Sequence, residues 1–186
     1  MVHSPPFWVK AWFIISTILV FWDAGYCLLR PHTFEGGKYH TLWTPYVLYA
    51  SVDYLYGHAV FKAGEGFTSA QAILNVVENF MNITYLLLLR AGSANAILVG
   101  FFAVTCTFWV LYWLMDQQCG WCQTGHNSLY KWIMLFGIPN GFWLVVPFSI
   151  IILFGSEISS NLRTLQNAAE RQGKDDLSGK RGEKGM

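Results

Sequence analysis

The stretch from Ser69 to Arg90, SAQAILNVVENFMNITYLLLLR, constrains this chain more than any other. It is long and apolar enough to cross a bilayer, yet it carries Gln71, Asn75, Glu78, Asn79 and Asn82. At about 100° per residue, Gln71, Asn75, Glu78 and Asn82 recur on one helical face. The same reading puts Ile73, Leu74, Val77, Phe80, Met81 and Tyr85 on an opposite, apolar side. An ionisable group at membrane depth costs roughly 2.5–3.5 kcal/mol on insertion scales, so Glu78 must face protein or a wet cavity. Two roles suit such a stripe. The amides and Glu78 join helices by interhelical hydrogen bonds, or the helix is the wall of a polar pocket. A carboxyl within a four-member stripe favours the pocket.

The rest of the chain supports a membrane setting. Of its 186 residues, 54% are hydrophobic and 12% charged, with mean hydropathy +0.35. A soluble domain carries about 25% charged residues. The net charge of +1 gives no reason to expect a nucleic acid partner. Five apolar segments predict an all-α integral membrane bundle of five transmembrane helices. They are Phe7–Leu29, Trp43–Phe61, the helix that Thr68 would cap and that ends at Arg90, Asn95–Met115, and Leu129–Phe154. Pro45 suits the first turn of the second span, and Pro139 and Pro147 are expected kinks in the fifth. Residues 1–155 form one catalytic domain, and 156–186 a polar, largely disordered tail. The first span lacks a convincing cleavage site after it and reads as retained. With five spans, Arg30, Lys38, Arg90 and the six basic residues of the tail fall on one side. Lys10, Lys62 and Lys131 fall on the other. This asymmetry predicts a cytosolic C-terminus and a lumenal N-terminus, in a membrane such as the endoplasmic reticulum.

Four acids lie in or beside these segments: Asp23, Asp53, Glu78 and Asp116. Two acids sharing one apolar pocket separate in function, one protonated as general acid and the other ionised as base. Asp53 and Glu78, on consecutive antiparallel spans, are the expected pair. Asp53 has a second role open to it, as a structural partner of Tyr49, Tyr56 or His58. Asp23 and Asp116 lie nearer span ends, where a carboxyl reaches water. Asn75 and Asn82, one turn either side of Glu78, are placed to orient a substrate. Nine Trp, nine Tyr and fourteen Phe supply rings for the membrane interfaces and for a pocket that meets positive charge. Trp109, Trp113 and Trp143 are the candidates for the second task.

The loop Cys119-Gly-Trp-Cys122 with His126 offers three metal-ligand types and no fourth, so a local disulfide or an interface loop is expected instead. His126, beside Asn127, and Asp116 are placed to touch a polar end of a substrate. There is no GxSxG, HExxH or nucleotide-binding loop. The expected partners are a lipophilic small molecule and membrane lipid, with neither metal nor organic cofactor.

The fifth span reads Ile138-Pro-Asn140-Gly-Phe-Trp143-Leu-Val-Val-Pro147. This NxxWxxxP pattern resembles the last helix of the emopamil-binding, or EXPERA, superfamily. Its best-known member is a sterol isomerase that protonates an alkene beside an aromatic ring. The resemblance implies five spans, with Asn140 as the pocket amide and Trp143 as the cation-stabilising ring. Where that superfamily has an early His/Glu pair, the first span here offers Asp23. The segments FWDAGYCLLRPH, PYVLYASVDYLYG, GFTSAQAILNVVEN and IPNGFWLVVP are similar to small membrane enzymes of fungal secondary metabolism. These include terpene cyclases of the ascochlorin type and epoxide hydrolases of the aurovertin and citreoviridin type. That similarity implies acid-initiated opening of an epoxide on a lipophilic prenyl or polyene substrate. A sterol isomerase or a non-catalytic sterol-binding protein is the alternative it leaves open.

Overall fold

A computed structural model describes residues 3–106 and 110–183, and among them every regular element is helical. Helices α1 (Phe7–Leu28), α2 (Pro45–Ala50), α3 (His58–Lys62) and α4 (Phe67–Arg90) come first in the chain. They are followed by α5 (Ala96–Cys106), α6 (Val110–Gln118), α7 (Leu129–Trp132) and α8 (Ile138–Glu183). Among the described residues, four stretches are long and apolar enough to cross a membrane: α1, α4, Ala96–Gln118 and Leu129–Lys174.

The fifth expected span is not a helix of that length. Between residues 43 and 62 the chain is broken into α2, a single 3-10 turn at Tyr54–Tyr56 and α3. Pro45 does open α2 at its first turn. Asp53 then leaves helical geometry, and its carboxylate accepts the Leu55 amide at 3.0 Å. Gly57 follows in an extended conformation before α3. A side chain that offers the backbone a local alternative partner ends a helix in this way. The segment 45–62 therefore folds back over one end of the bundle.

Helix α4 packs against α1 and α5, and α5 packs against α8. The sequence on α4 is inside out relative to a soluble helix. Asn75, Glu78, Asn79 and Asn82 are buried, whereas Ile73, Leu74, Val77 and Phe80 are more than half exposed. Lipid is the solvent that suits those outer residues. Tyr85, expected among them, is instead fully buried. Seven residues after Glu78, it has turned by 700° and returned to within about 20° of the same face. Thr68 does not cap α4, whose N-cap is Gly66. Its hydroxyl accepts a hydrogen bond from buried Arg30 at 2.7 Å, tying the end of α1 to the start of α4.

Two apolar clusters hold the bundle. One, around Phe13, Tyr85, Val104, Ile150 and Phe154, lies among α1, α4, α5 and α8. Gly100 sits in it where a Cβ would come within 2.7 Å of the Phe154 and Tyr85 rings. The other, around Tyr26, Trp43, Tyr46, Tyr56, Tyr112 and Phe136, joins the 45–62 segment to the helices beneath it. His3, near the N-terminus, meets Glu157 of α8 at 2.9 Å and Tyr85 of α4 at 3.3 Å. The N-terminus and the start of the polar tail thus lie at the same end of the bundle. Five crossings would have parted them; four bring them together.

Before α8, residues Ile133–Gly137 form a π-helical stretch. It precedes Pro139, which has no amide to give to the turn before it. Pro147 lies inside α8, which carries on past its apolar residues into the polar tail.

Candidate functional site

The 45–62 segment, the upper part of α1 and the start of α8 enclose a cavity of about 350 Å³. Its lining is mostly apolar: Leu19, Val20 and Trp22 from α1, Leu48 from α2, and Leu135 and Pro139 from the other wall. Asp23, Tyr46, Tyr49, Tyr56, Asn140 and Trp143 are its polar and aromatic members. A largely apolar pocket with a few convergent polar groups is the usual form of a small-molecule site.

Asp23 lies one turn from the end of α1, on the face turned toward α2. The Tyr46 hydroxyl donates to its Oδ1 at 2.6 Å, and the Tyr56 hydroxyl reaches Oδ2 at 3.4 Å. Both phenols lie outside the spans. Burial first, and then the charge of Asp23, hold them well above the ordinary tyrosine range. They are donors in this site, not bases. Asn140 enters from α8, where its Nδ2 donates to Tyr49 Oη at 3.2 Å and to the Phe136 carbonyl at 2.9 Å. Burial also holds the Tyr49 phenol above its ordinary value. Trp143, one turn beyond Asn140, packs edge-on against Trp12 with ring centres 5.0 Å apart. Of the expected site residues, Asn140 and Trp143 line this cavity, and the carboxyl that lines it with them is Asp23.

The expected acid/base pair lies elsewhere. Asp53 is fully buried, and its carboxylate accepts the Leu55 amide and the Tyr112 hydroxyl. Burial is the main cause that raises its carboxyl to about 6. It locks the 3-10 turn onto α6 and lines neither described cavity. Glu78 is 2% exposed on the face of α4 that packs against its neighbours, and it too is absent from both linings. Asn75 accepts from Gln71 at 2.9 Å, and Asn79 donates to the Thr17 carbonyl of α1 at 3.2 Å. Asn82 is buried on the same face. The Gln71–Asn75 and Asn79–Thr17 bonds tie α4 to itself and to α1.

Asp116 closes the end of α6. Its carboxylate accepts the Gln123 amide at 2.9 Å and the Thr124 hydroxyl at 2.5 Å. Thr124 in turn accepts from the Trp132 indole at 2.9 Å. His126 is exposed, stacked on Tyr54 at 3.7 Å, with Nε2 3.0 Å from the Ser51 carbonyl. Cys119 and Cys122 form a disulfide, the first of the two alternatives the loop left open. Asp116 and these two sulfurs lie within 4.8 Å of one another. Sulfurs bonded to each other are no longer thiolate ligands, so the group does not suit a metal in this state. Trp113 packs against Trp132 and Phe136, away from the cavity linings. Trp109 lies outside the described residues.

Sequence reasoning did not bring Tyr46 to this cavity, considered Tyr49 only as a partner of Asp53, and read Asp23 as a helix-end carboxyl, whereas all three line the cavity. A signal was available in PYVLY, whose two tyrosines, three residues apart, share a face of any helix begun by Pro45. Fold and site together define an all-helical membrane protein with a carboxylate-bearing, aromatic-walled cavity between its spans. No family model, curated protein or solved structure matches the chain.

Proposed function

We propose that this protein is a membrane-embedded acid catalyst that opens an epoxide on a lipophilic prenyl or polyene substrate, with Asp23 as the proton donor. The observation that carries this reading is the Asp23 carboxyl, held by two phenols at the wall of an apolar cavity. In this reading Asp23 gives its proton to the epoxide oxygen as the C–O bond breaks, leaving a hydroxyl and a developing cation. Tyr46 and Tyr56 stabilise the carboxylate left behind. Trp143 and the tyrosine faces meet the cation, an interaction of about 2 kcal/mol or more when desolvated. Asn140, anchored by Tyr49, orients the substrate oxygen or the nucleophile that ends the reaction. The resemblance of IPNGFWLVVP to EXPERA-type helices supports the roles given to Asn140 and Trp143.

Substrate reaches such a cavity sideways from the bilayer, past Leu19, Trp22 and Leu48, whose side chains are each more than a third exposed. In a four-span arrangement, eight of the twelve basic residues accompany the termini: Lys10, Arg90 and the six of the tail. This supports termini in the cytosol. The Cys119–Cys122 disulfide at the other end suits an oxidising lumen.

A second reading rests on the same wall. A carboxylate among Tyr46, Tyr49, Tyr56 and Trp143 also suits an organic cation, so a non-catalytic lipid- or sterol-binding protein is the alternative. The test is incubation of membranes bearing the protein with epoxidised prenyl-phenol and polyene-pyrone substrates. Turnover that disappears with Asp23→Asn supports the enzyme. Saturable binding of amphiphilic amines without turnover supports the binder.

A further inference from the structure

A second cavity of about 370 Å³ adjoins the first. Tyr46 and Tyr56 line both, so the wall between the cavities includes the two phenols that hold Asp23. The two rings are 5.7 Å apart, and Tyr26 stacks on Tyr46 at 4.0 Å. The linings differ in character. The first cavity is walled by Leu19, Val20, Leu48 and Leu135, the second by Thr33, Glu35, His40 and His58 among its aromatic rings. The second lies under the 31–44 loop, at the end of the bundle where α1 finishes. His40 Nδ1 is buried there without a hydrogen-bond partner among the described residues. That is an imidazole nitrogen with capacity to spare beside a polar cavity.

We infer that the second cavity is the aqueous port of the Asp23 site, holding water that exchanges protons with the carboxyl through Tyr46 and Tyr56. The inference rests on the catalytic reading of Asp23 and supplies what that reading requires. When Asp23 protonates an epoxide oxygen, the cation formed is quenched elsewhere on the substrate, and a proton leaves from a different atom. Asp23 must regain a proton before the next turnover, and the first cavity faces hydrocarbon. In the return step one of the two phenols passes its hydroxyl proton to Asp23 and accepts one from water on its other side. The phenol ends neutral, as its burial demands, and no charge is stranded between the cavities. His40, His58 and Glu35 are the titratable groups that line the port and hand protons to that water.

Hydrogen–deuterium exchange of the Asp23 carboxyl tests this on the reconstituted full chain without any substrate. The Asp23 band is the protonated-carboxyl infrared band lost in Asp23→Asn. On transfer to heavy water it is expected to shift within seconds. Ala50→Trp, which fills the second cavity, should slow the shift about tenfold or more. Leu48→Trp, which fills the first, should not. Val47→Trp serves as an independent plug of the second cavity should Ala50→Trp fail to fold, as judged by circular dichroism. Tyr46→Phe should also slow exchange, because it removes the shorter of the two links. Exchange indifferent to both second-cavity plugs, or slowed only by Leu48→Trp, would overturn the port. So would the lack of any Asp23 carboxyl band between pH 5 and 8. Because no turnover is read, loss of the port leaves the catalytic test of Asp23 standing, and the reverse also holds.

Discussion

Helix α4 and the Asp23 cavity both place polar groups within the bundle, and they use them in opposite ways. On α4 the carboxyl and amides are pressed against neighbouring helices, with Asn79 reaching the backbone of α1 and Gln71 reaching Asn75. At Asp23 the carboxyl keeps two phenols on one side and an open apolar volume on the other. Lipid forces both outcomes, since a polar group at that depth must be satisfied internally or face a cavity. A polar stripe is therefore evidence of burial, and burial alone does not make a site. The additional requirement is space that another molecule can enter.

The strongest blow to the packed side should come from Gly100→Leu. The new side chain would meet the Phe154 and Tyr85 rings at 2.7 Å from its Cβ onward. Overpacking of this kind costs about 1–3 kcal/mol. Thermal unfolding in detergent should show the loss, while amphiphile binding per folded molecule stays at the wild-type level. On the cavity side, Tyr46→Phe should lower turnover about tenfold with little change in unfolding temperature, because the ring and its stack on Tyr26 survive. Equal losses in both measurements would make Tyr46 a packing residue like those of α4.

Asp53 separates structure from site by pH. Its carboxyl is raised from 3.8 to about 6 by burial, so the folded protein holds that proton more tightly than the unfolded chain. Stability should be greatest below about pH 4 as far as this group is concerned, and fall as pH rises through about 6. Unfolding midpoints across that window should show the slope, and Asp53→Asn should flatten it. The smallest effect is expected from Cys119→Ser with Cys122→Ser. The disulfide loop lies outside both cavity linings, and turnover should stay within a few-fold of wild type.

The spans α1, α4 and α8 were legible because length and apolar content suffice to mark a crossing helix. So was most of the face that α4 buries, which followed from 3.6-residue periodicity; Tyr85, and in part Met81, turn inward against that reading. The 43–61 segment was not, because its length and hydropathy match a span while Asp53 and Gly57 break it locally. The course of this segment also decides which side chains meet. Read as a span, the segment places Asp53 opposite Glu78; folded back as short helices, it brings Tyr46, Tyr49 and Tyr56 over Asp23 instead. Asn140 and Trp143 were found through the IPNGFWLVVP pattern, but their partner depended on which way residues 45–62 turn. No periodicity within either segment encodes that choice.

The central claim is that Asp23, rather than Glu78, is the working carboxyl. Turnover of an epoxidised prenyl or polyene substrate by Asp23→Asn and Glu78→Gln, in membranes with matched protein levels, tests it most directly. Both changes keep size and hydrogen-bonding capacity while removing a useful proton. Positioned proton transfer contributes about 10²–10⁴, so Asp23→Asn should lose about 10²-fold or more while Glu78→Gln keeps near-full turnover. Turnover retained by Asp23→Asn and lost by Glu78→Gln would contradict the account and return the active site to the polar face of α4.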